Sequence, residues 1–155
     1  MTTVRKTVEL NVPITTAYNQ YTQFESFPNF MEGVESVKQL DDKRLHWRVS
    51  IGGQEREWDA EIVEQVPDRV IAWHGTGGTL NDGRVEFEPL SDTTCRVTVT
   101  VEYDPQGLIE TVGDKLGFVD GRVEGDLERF KRFVEEQGAA TGAWRGEVKS
   151  GELRR

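Results

Sequence analysis

TCRVTVTVEY, which spans residues 94–103, alternates apolar and polar side chains along its length. A period of two is typical of a β-strand with one buried face and one face in solvent. The apolar face consists of Cys95, Val97, Val99, Val101 and Tyr103. The stretch therefore predicts one strand of an antiparallel sheet that packs against a core on one side.

The residues after this strand change to the period of a helix. Beyond Pro105, apolar side chains recur every three or four positions. They are Leu108, Ile109, Val112, Leu116, Val119, Val123, Leu127, Phe130, Phe133 and Val134. The spacing predicts a long C-terminal helix. Because glycines at 113, 117, 121 and 125 weaken its first half, we expect a kink or break before residue 122.

The residues before the strand, from Gly33 onward, keep the period of two. The alternation is interrupted where turn-forming residues cluster. The clusters are Asp41-Asp42, Gly52-Gly53, Pro67-Asp68, Asn81-Asp82-Gly83 and Ser91-Asp92. They predict an antiparallel meander of six strands, at residues 34–40, 44–51, 54–66, 69–76, 79–89 and 94–103.

The two ends of the chain complete the expected architecture. Residues 4–12 alternate as a first strand, and residues 14–24 and 25–31 predict two short helices after it. From Gln137 onward the chain is mostly small and charged, which predicts a flexible tail over 137–155 and one domain over residues 1–136. This order of elements predicts an α+β fold. A curved seven-stranded antiparallel sheet wraps the long helix and leaves a cavity between them.

Composition excludes several classes of protein. A chain of 155 residues with 35% hydrophobic residues closes a core without metal or disulfides, and its single cysteine excludes a disulfide scaffold and a cysteine zinc site. The net charge of -9 repels nucleic acid and anionic lipid headgroups, so neither is an expected partner. No run approaches the roughly 20 apolar residues of a membrane span. We expect a cytoplasmic protein without stable membrane insertion, whose ligand is recognised by its apolar body.

Several stretches of the chain are similar to those of a known group of proteins. They are Phe27-Pro28-Asn29-Phe30-Met31, RVIAW at 69–73, GRVEFEPL at 83–90, TCRVTVTVEY at 94–103 and GDLERFK at 125–131. Over residues 1 to about 136, the chain resembles the START-like (START/Bet v 1-like) helix-grip superfamily. Within it, the similarity is to the polyketide cyclase/dehydrase and lipid-transport group, which includes coenzyme Q-binding relatives. The resemblance implies a helix-grip fold that binds or converts a polyketide, quinone or lipid.

Aromatic side chains are expected on the inward face of the sheet. Three tryptophans lie on successive predicted strands, each on the side that alternation predicts to face inward, and Phe87 and Tyr103 follow on later strands. Such rings offer flat walls to a ring system or an isoprenoid-like chain. The alternative is that they only fill the core. The predicted ligand-binding residues are Trp47, Trp58, Trp73, Phe87, Leu116 and Val119.

Two polar residues share the inward parity and are the candidates for catalysis. Arg56 lies two residues before Trp58, and Tyr103 ends the last strand. An arginine among aromatics predicts an anchor for a carboxylate, carbonyl or enolate; the alternative is a rim arginine whose head reaches water or a carboxylate. His46 and His74 alternate with inward residues and are expected on the outer face, which argues against a histidine base. No spacing of ligands predicts a metal site, and no cofactor is expected.

Three functions are compatible with these residues. The first is binding of a hydrophobic small molecule in the cavity, with the glycine-rich half of the long helix as a gate. The second is a polyketide aromatase/cyclase that promotes aldol cyclisation and dehydration. The resemblance implies an arginine and tyrosines in the cavity of such members, and strand parity offers Arg56 and Tyr103 as the inward polar candidates in this chain. The third is a protein-interaction module without a functional cavity, which docks through Trp144 in the tail.

Overall fold

The computed structural model describes residues 2–31, 34–51, 54–75, 81–103, 118–140, 142–149 and 152–154. A curved antiparallel sheet contains β1 (Thr2–Leu10), β2 (Val34–Gln39), β3 (Arg44–Ile51), β4 (Gln54–Val66), β5 (Val70–Gly75), β6 (Asn81–Pro89) and β7 (Cys95–Tyr103). The strand order is β1-β7-β6-β5-β4-β3-β2. The helices are α1 (Ile14–Tyr21) and α2 (Phe118–Gln137), with a short 3-10 helix at Phe24–Asn29. A hairpin of β8 (Glu147–Lys149) and β9 (Glu152–Arg154) follows α2.

The stretch TCRVTVTVEY forms β7 and lies in the sheet between β1 and β6. Val97 pairs with Val8 of β1 and with Phe87 of β6, both in antiparallel register. Cys95 and Val97 have no exposed surface. The apolar side of the alternation is therefore the buried one, and the predicted seven-stranded sheet is confirmed.

Aromatic side chains from α1 and from the residue that follows the 3-10 helix pack against α2. Tyr21 lies edge-on to Phe130 of α2 with ring centroids 4.9 Å apart, and Phe30 lies 5.1 Å from the same ring. The α-helix predicted over 14–24 ends at Tyr21 and is followed by the tighter 3-10 turn. Pro28 lacks an N–H for a bond to the carbonyl four residues earlier, so a continuous α-helix is unfavourable here.

Helix α2 buries its apolar stripe beside β1. Leu127, Phe130 and Val134 are buried, and Nζ of Lys131 donates to the carbonyl oxygen of Glu9 at 2.8 Å. The helix continues through residue 121, so the predicted break does not fall between residues 118 and 122. Residues 108–117 of the predicted helix lie outside the described residues. Within the described ranges, no helix combines the length and the apolar character needed to span a membrane.

The C-terminal segment packs onto the domain, which corrects the predicted flexible tail in its described part. Val148 pairs with Gln65 of β4 and is fully buried. The backbone N–H of Trp144 donates to Oγ1 of Thr22 at 3.0 Å, and its indole packs against the core instead of standing free for a partner. Strand β4 runs past the end of β3, which leaves an open strand edge that β8 fills. The boundary at residue 136 stays a prediction.

The sequence Asn81-Asp82-Gly83, expected as a turn, lies inside β6. Gly83 is directly opposite Trp73 of β5 in the strand register. A Cβ at Gly83 would stand 2.1 Å from Cζ2 of Trp73. The glycine therefore permits the indole to cross β6 at close range, which explains why a residue expected in a turn lies inside a strand.

Candidate functional site

Three tryptophans lie side by side on the inward face of the sheet. Trp47 and Trp58 are opposite each other in the β3–β4 register, and their rings stack with centroids 6.2 Å apart and planes 11° apart. Trp73 of β5 lies 6.4 Å from Trp47 with the two planes 29° apart. We call these three residues the tryptophan wall. All three side chains lie on the inward face, as the alternation of side chains along their strands predicts.

Two indole N–H groups of the tryptophan wall are buried without an acceptor. Trp47 is 6% exposed and Trp58 is 7% exposed, whereas Trp73 is only partly buried. Nε1 of Trp47 and Nε1 of Trp58 have no hydrogen-bond partner within the described ranges. An indole N–H only donates, and buried donors in folded proteins are nearly always paired. These two nitrogens therefore set the tryptophan wall apart from ordinary aromatic core.

Phe87 lies toward α1 rather than beside the tryptophan wall. Its ring is edge-on to Tyr18 at 5.3 Å and to Tyr21 at 6.0 Å. Burial raises the pKa of Tyr21, and the nearby carboxylate of Asp126 raises it further. The contacts of Phe87 also suit a residue that fills the core, so its role in ligand binding stays a prediction.

Four further predicted site residues are placed only by the backbone or lie outside the described residues. Arg56 pairs with Val49 in the β3–β4 register, and Val49 is buried. Tyr103 is the last residue of β7, and Val119 lies in the first turn of α2. Leu116 falls outside the described ranges, as do the side chains of the other three. Their roles stay predictions.

Both histidines lie on the outer face, as predicted from their parity. Nδ1 of His46 is 2.7 Å from Oδ1 of Asp59, and its Nε2 is 3.0 Å from Oε1 of Glu57. These hydrogen bonds, with Asp59 the stronger influence, raise the pKa of His46. Nδ1 of His74 is 2.8 Å from Oδ1 of Asp82. Both histidines contact surface carboxylates and do not belong to the tryptophan wall.

A second set of unpaired polar groups, which the sequence did not reveal, lies beneath the C-terminal segment. It contains the hydroxyl of Tyr18, both polar atoms of the Gln65 amide and Oδ1 of Asp68, all buried without a hydrogen-bond partner in the described part of the chain. We call these three residues the polar cluster. Arg145 lies over it, 5.4 Å from the centroid of the Tyr18 ring and 2.8 Å from Oδ2 of Asp68.

Burial dominates the electrostatics of the polar cluster. It raises the pKa of Tyr18 to about 12, and the nearby Gln65 amide and Arg145 guanidinium lower it by less. The amide approaches the Tyr18 hydroxyl without meeting hydrogen-bond geometry. Tyr18 is therefore a neutral core residue at physiological pH. Alternation from Trp58 and Ile62 would place Gln65 on the outer face, but the register shifts between Ile62 and Glu64 and Gln65 is buried opposite Ile71. The sequence pattern therefore gives no signal for the polar cluster.

A groove of about 620 Å³ lies on the outer face of the sheet, away from the tryptophan wall. Arg84 in this groove is 2.7 Å from Glu64 and 3.6 Å from Glu86, so its positive charge is compensated by two carboxylates. The residues around it are mostly charged, which does not suit the predicted hydrophobic ligand. They include Arg5, Glu64, Asp68, Arg69, Arg84, Glu86, Glu88 and Lys149.

Known proteins are similar to this chain in sequence and in fold. Residues 10–132 match the family described as polyketide cyclase/dehydrase and lipid transport. An uncharacterized 17.2 kDa protein from the melC2-rnhH intergenic region of Streptomyces lincolnensis is 49% identical over 149 residues, which cover 96% of this chain and 99% of that protein.

Solved structures confirm the START-like helix-grip architecture. The ZhuI aromatase/cyclase from Streptomyces sp. R1128 has a TM-score of 0.73 at 16% identity, over 92% of this chain and 99% of that one. A START superfamily protein from Mycobacterium smegmatis has a TM-score of 0.66 at 17% identity, over 87% of this chain and 95% of that one. At such identities the likeness shows the fold alone. The family match covers most of the sequence, and the chain belongs to the polyketide cyclase/dehydrase and lipid transport family.

Proposed function

We propose that this protein binds a hydrophobic small molecule, a polyketide, quinone or lipid, between the inward face of the sheet and α2. Family membership supports a role in ligand binding or cyclase chemistry. The observation that carries the proposal is the tryptophan wall, because stacked indoles on one face offer a flat, polarisable surface to an apolar ligand. The proposed binding residues are Trp47, Trp58, Trp73, Phe87, Leu116 and Val119.

A thermal-shift screen with quinones, aromatic polyketides and lipids tests this proposal. A compound that binds only the folded chain raises the melting temperature by mass action. We expect hits, and we expect Trp73→Ala to weaken binding of a hit measured by titration calorimetry. Trp144→Ala removes the same type of side chain from the C-terminal segment and should leave the affinity unchanged. A screen with no hit at saturating concentration contradicts the proposal.

Family membership also favours a second function, that of a polyketide aromatase/cyclase. Aldol cyclisation passes through an enolate, which a cation or a hydrogen-bond donor stabilises, and aromatisation then requires loss of water. In this proposal Arg56 holds the developing oxyanion and Tyr103 donates to it. The register of Arg56 opposite the buried Val49 supports the choice of this arginine.

Product analysis with a minimal polyketide synthase tests the second function. Loss of one oxyanion donor typically slows a reaction by about 100-fold or more, so Arg56→Ala should strongly reduce the cyclised product. Arg48→Ala is the matched control, because Arg48 pairs with Glu55 at 2.6 Å and its side chain is half exposed on the outer face. A product profile from Arg56→Ala that equals the wild-type profile contradicts the cyclase mechanism.

A further inference from the structure

We infer that the ligand presents a neutral hydrogen-bond acceptor, a ketone or quinone oxygen, to the indole N–H groups of Trp47 and Trp58. This inference rests on the proposed function, and it selects among the ligand classes named there. Polyketides and quinones carry such a carbonyl oxygen on the body of the molecule, whereas the hydrocarbon chain of a lipid has no hydrogen-bond acceptor.

The argument begins with the unpaired donors themselves. Nε1 of Trp47 and Nε1 of Trp58 are buried and lack an acceptor among the described residues. A buried donor without an acceptor loses its bonds to water and gains none from the protein. Phenylalanine would provide comparable apolar surface at both positions without this penalty. Tryptophan at two opposite positions is therefore better explained by an acceptor that arrives with the ligand.

The surroundings of the two nitrogens indicate the charge of that acceptor. The same-face neighbours of Trp47 along β3 are Leu45 and Val49, and Ala60 follows Trp58 along β4, all of them buried. Phe27 packs on Trp47 from the opposite side of the core at 5.6 Å. Burying a carboxylate among these apolar side chains is costly unless a cation pairs with it, and Arg56, which pairs with Val49 in the register, is the one cation that the proposed cyclase function assigns to this face. A carbonyl oxygen needs only a donor, which the two indole N–H groups supply.

The same geometry predicts that the indoles move when the ligand binds. Both nitrogens are covered by protein atoms, so an acceptor reaches them only when a neighbouring side chain shifts. Trp73 is the partly buried member of the tryptophan wall and stacks 6.4 Å from Trp47. Displacement of its ring would expose the ring face of Trp47 on which it stacks.

A pair of isosteric probes tests the inference. Acetylnaphthalene carries a carbonyl oxygen, and isopropenylnaphthalene substituted at the same ring position carries a CH₂ group in its place. The ratio of their dissociation constants, measured by titration calorimetry, reports the contribution of the oxygen. In Trp47→Phe and Trp58→Phe that ratio should shift toward the hydrocarbon by about two- to tenfold, the effect of one neutral hydrogen bond. Trp144→Phe, the matched control in the C-terminal segment, should keep the wild-type ratio.

The possible outcomes distinguish a failure of this inference from a failure of the proposed ligand binding on which it rests. If both probes bind and the ratio is unchanged in Trp47→Phe and Trp58→Phe, the inference is wrong and ligand binding stands. If neither probe binds up to its solubility limit, the inference is contradicted, and the broader thermal-shift screen decides the proposed function. Should a variant fail to fold, the wild-type protein labelled with ¹⁵N at its indoles gives the second readout. Acetylnaphthalene should then move two indole N–H proton signals downfield, and isopropenylnaphthalene should not; identical shifts with both probes overturn the inference.

Discussion

Gly83 decides whether Trp73 can take its place in the tryptophan wall. A Cβ at this position would stand 2.1 Å from the Trp73 ring, and the ring rather than a flexible chain end is the obstacle. We expect Gly83→Ala to displace the indole and to lower the free energy of unfolding by about 1–3 kcal/mol, as overpacking typically does. Denaturant unfolding measures the loss, and tryptophan fluorescence reports the changed ring environment.

Gly121 provides the matched control for this substitution. It lies in α2, and a Cβ there would meet nothing within 4 Å. Gly121→Ala should therefore raise stability by up to about 1 kcal/mol through helix propensity. Equal effects of the two alanines would show that the contact with Trp73 is not what constrains Gly83.

The carboxylates around His46 on the outer face of the sheet should make the stability of the protein depend on pH. The hydrogen bonds of His46 to Asp59 and Glu57 raise its pKa, so the folded chain binds this proton more tightly than the unfolded chain does. The stabilisation is complete below the ordinary histidine value of about 6.5 and is lost as the pH rises through the higher folded value. Because the side chain is partly exposed, the effect should be less than about 1 kcal/mol.

Denaturant unfolding at about pH 5.5 and about pH 8.5, on either side of the ordinary histidine value, measures this dependence. The wild type should lose stability relative to His46→Gln at the higher pH, and salt should reduce the difference, since surface ion pairs are screened. A constant difference between the two proteins at both values would exclude a titrating ion pair at His46.

The C-terminal segment is the element whose role changes most between sequence and structure. Val148 pairs with Gln65 and is fully buried, which makes β8 part of the sheet. We expect Val148→Ala to lower the free energy of unfolding by about 2 kcal/mol, the scale of a truncated core side chain. Lys149→Ala changes the adjacent exposed residue and should stay within about 0.5 kcal/mol. Wild-type stability in Val148→Ala would restore the flexible-tail interpretation.

The buried tyrosines report on the whole molecule, because they ionise freely only when the core opens. Burial raises the pKa of Tyr18 to about 12 and also raises that of Tyr21, against an ordinary value of about 10. The protonated forms therefore stabilise the fold below about pH 10, and this contribution is lost as the pH rises toward about 12. We expect tyrosinate absorbance from these two residues to appear together with the loss of circular dichroism.

The alkaline titration also tests how tightly the aromatic core is packed. Tyr21 contacts Phe27, Phe130 and Phe87 through edge-on rings, so the core should resist hydroxide until it unfolds cooperatively. Tyr18→Phe and Tyr21→Phe assign the two signals. Gradual ionisation near the ordinary value in a chain that keeps its circular dichroism would show that the core is open to solvent.

The element pattern was predictable because burial repeats locally along the chain. The alternation at Cys95 and Val97 identifies the inward side of β7. The same alternation, counted within each of the strands β3, β4 and β5, places Trp47, Trp58 and Trp73 on the inward face. The predicted ligand wall could be named in this way, since a strand sends alternate residues to opposite faces. Contacts between rings were not predictable, because they depend on strand register.

The sequence by itself determined the seven strands of the main sheet, the positions of α1 and of the described part of α2, their order and the inward face, since each follows from a period of two or of 3.6 residues. Tertiary structure alone decided three features: the strand formed by Val148, the glycine opposite Trp73, and the unpaired nitrogens of Trp47 and Trp58. Each depends on which groups meet across the fold, as Gln65 meets Val148. A local pattern shows whether a residue faces the core. Only the folded chain decides which distant residue that residue contacts, or whether its polar group has a hydrogen-bond partner.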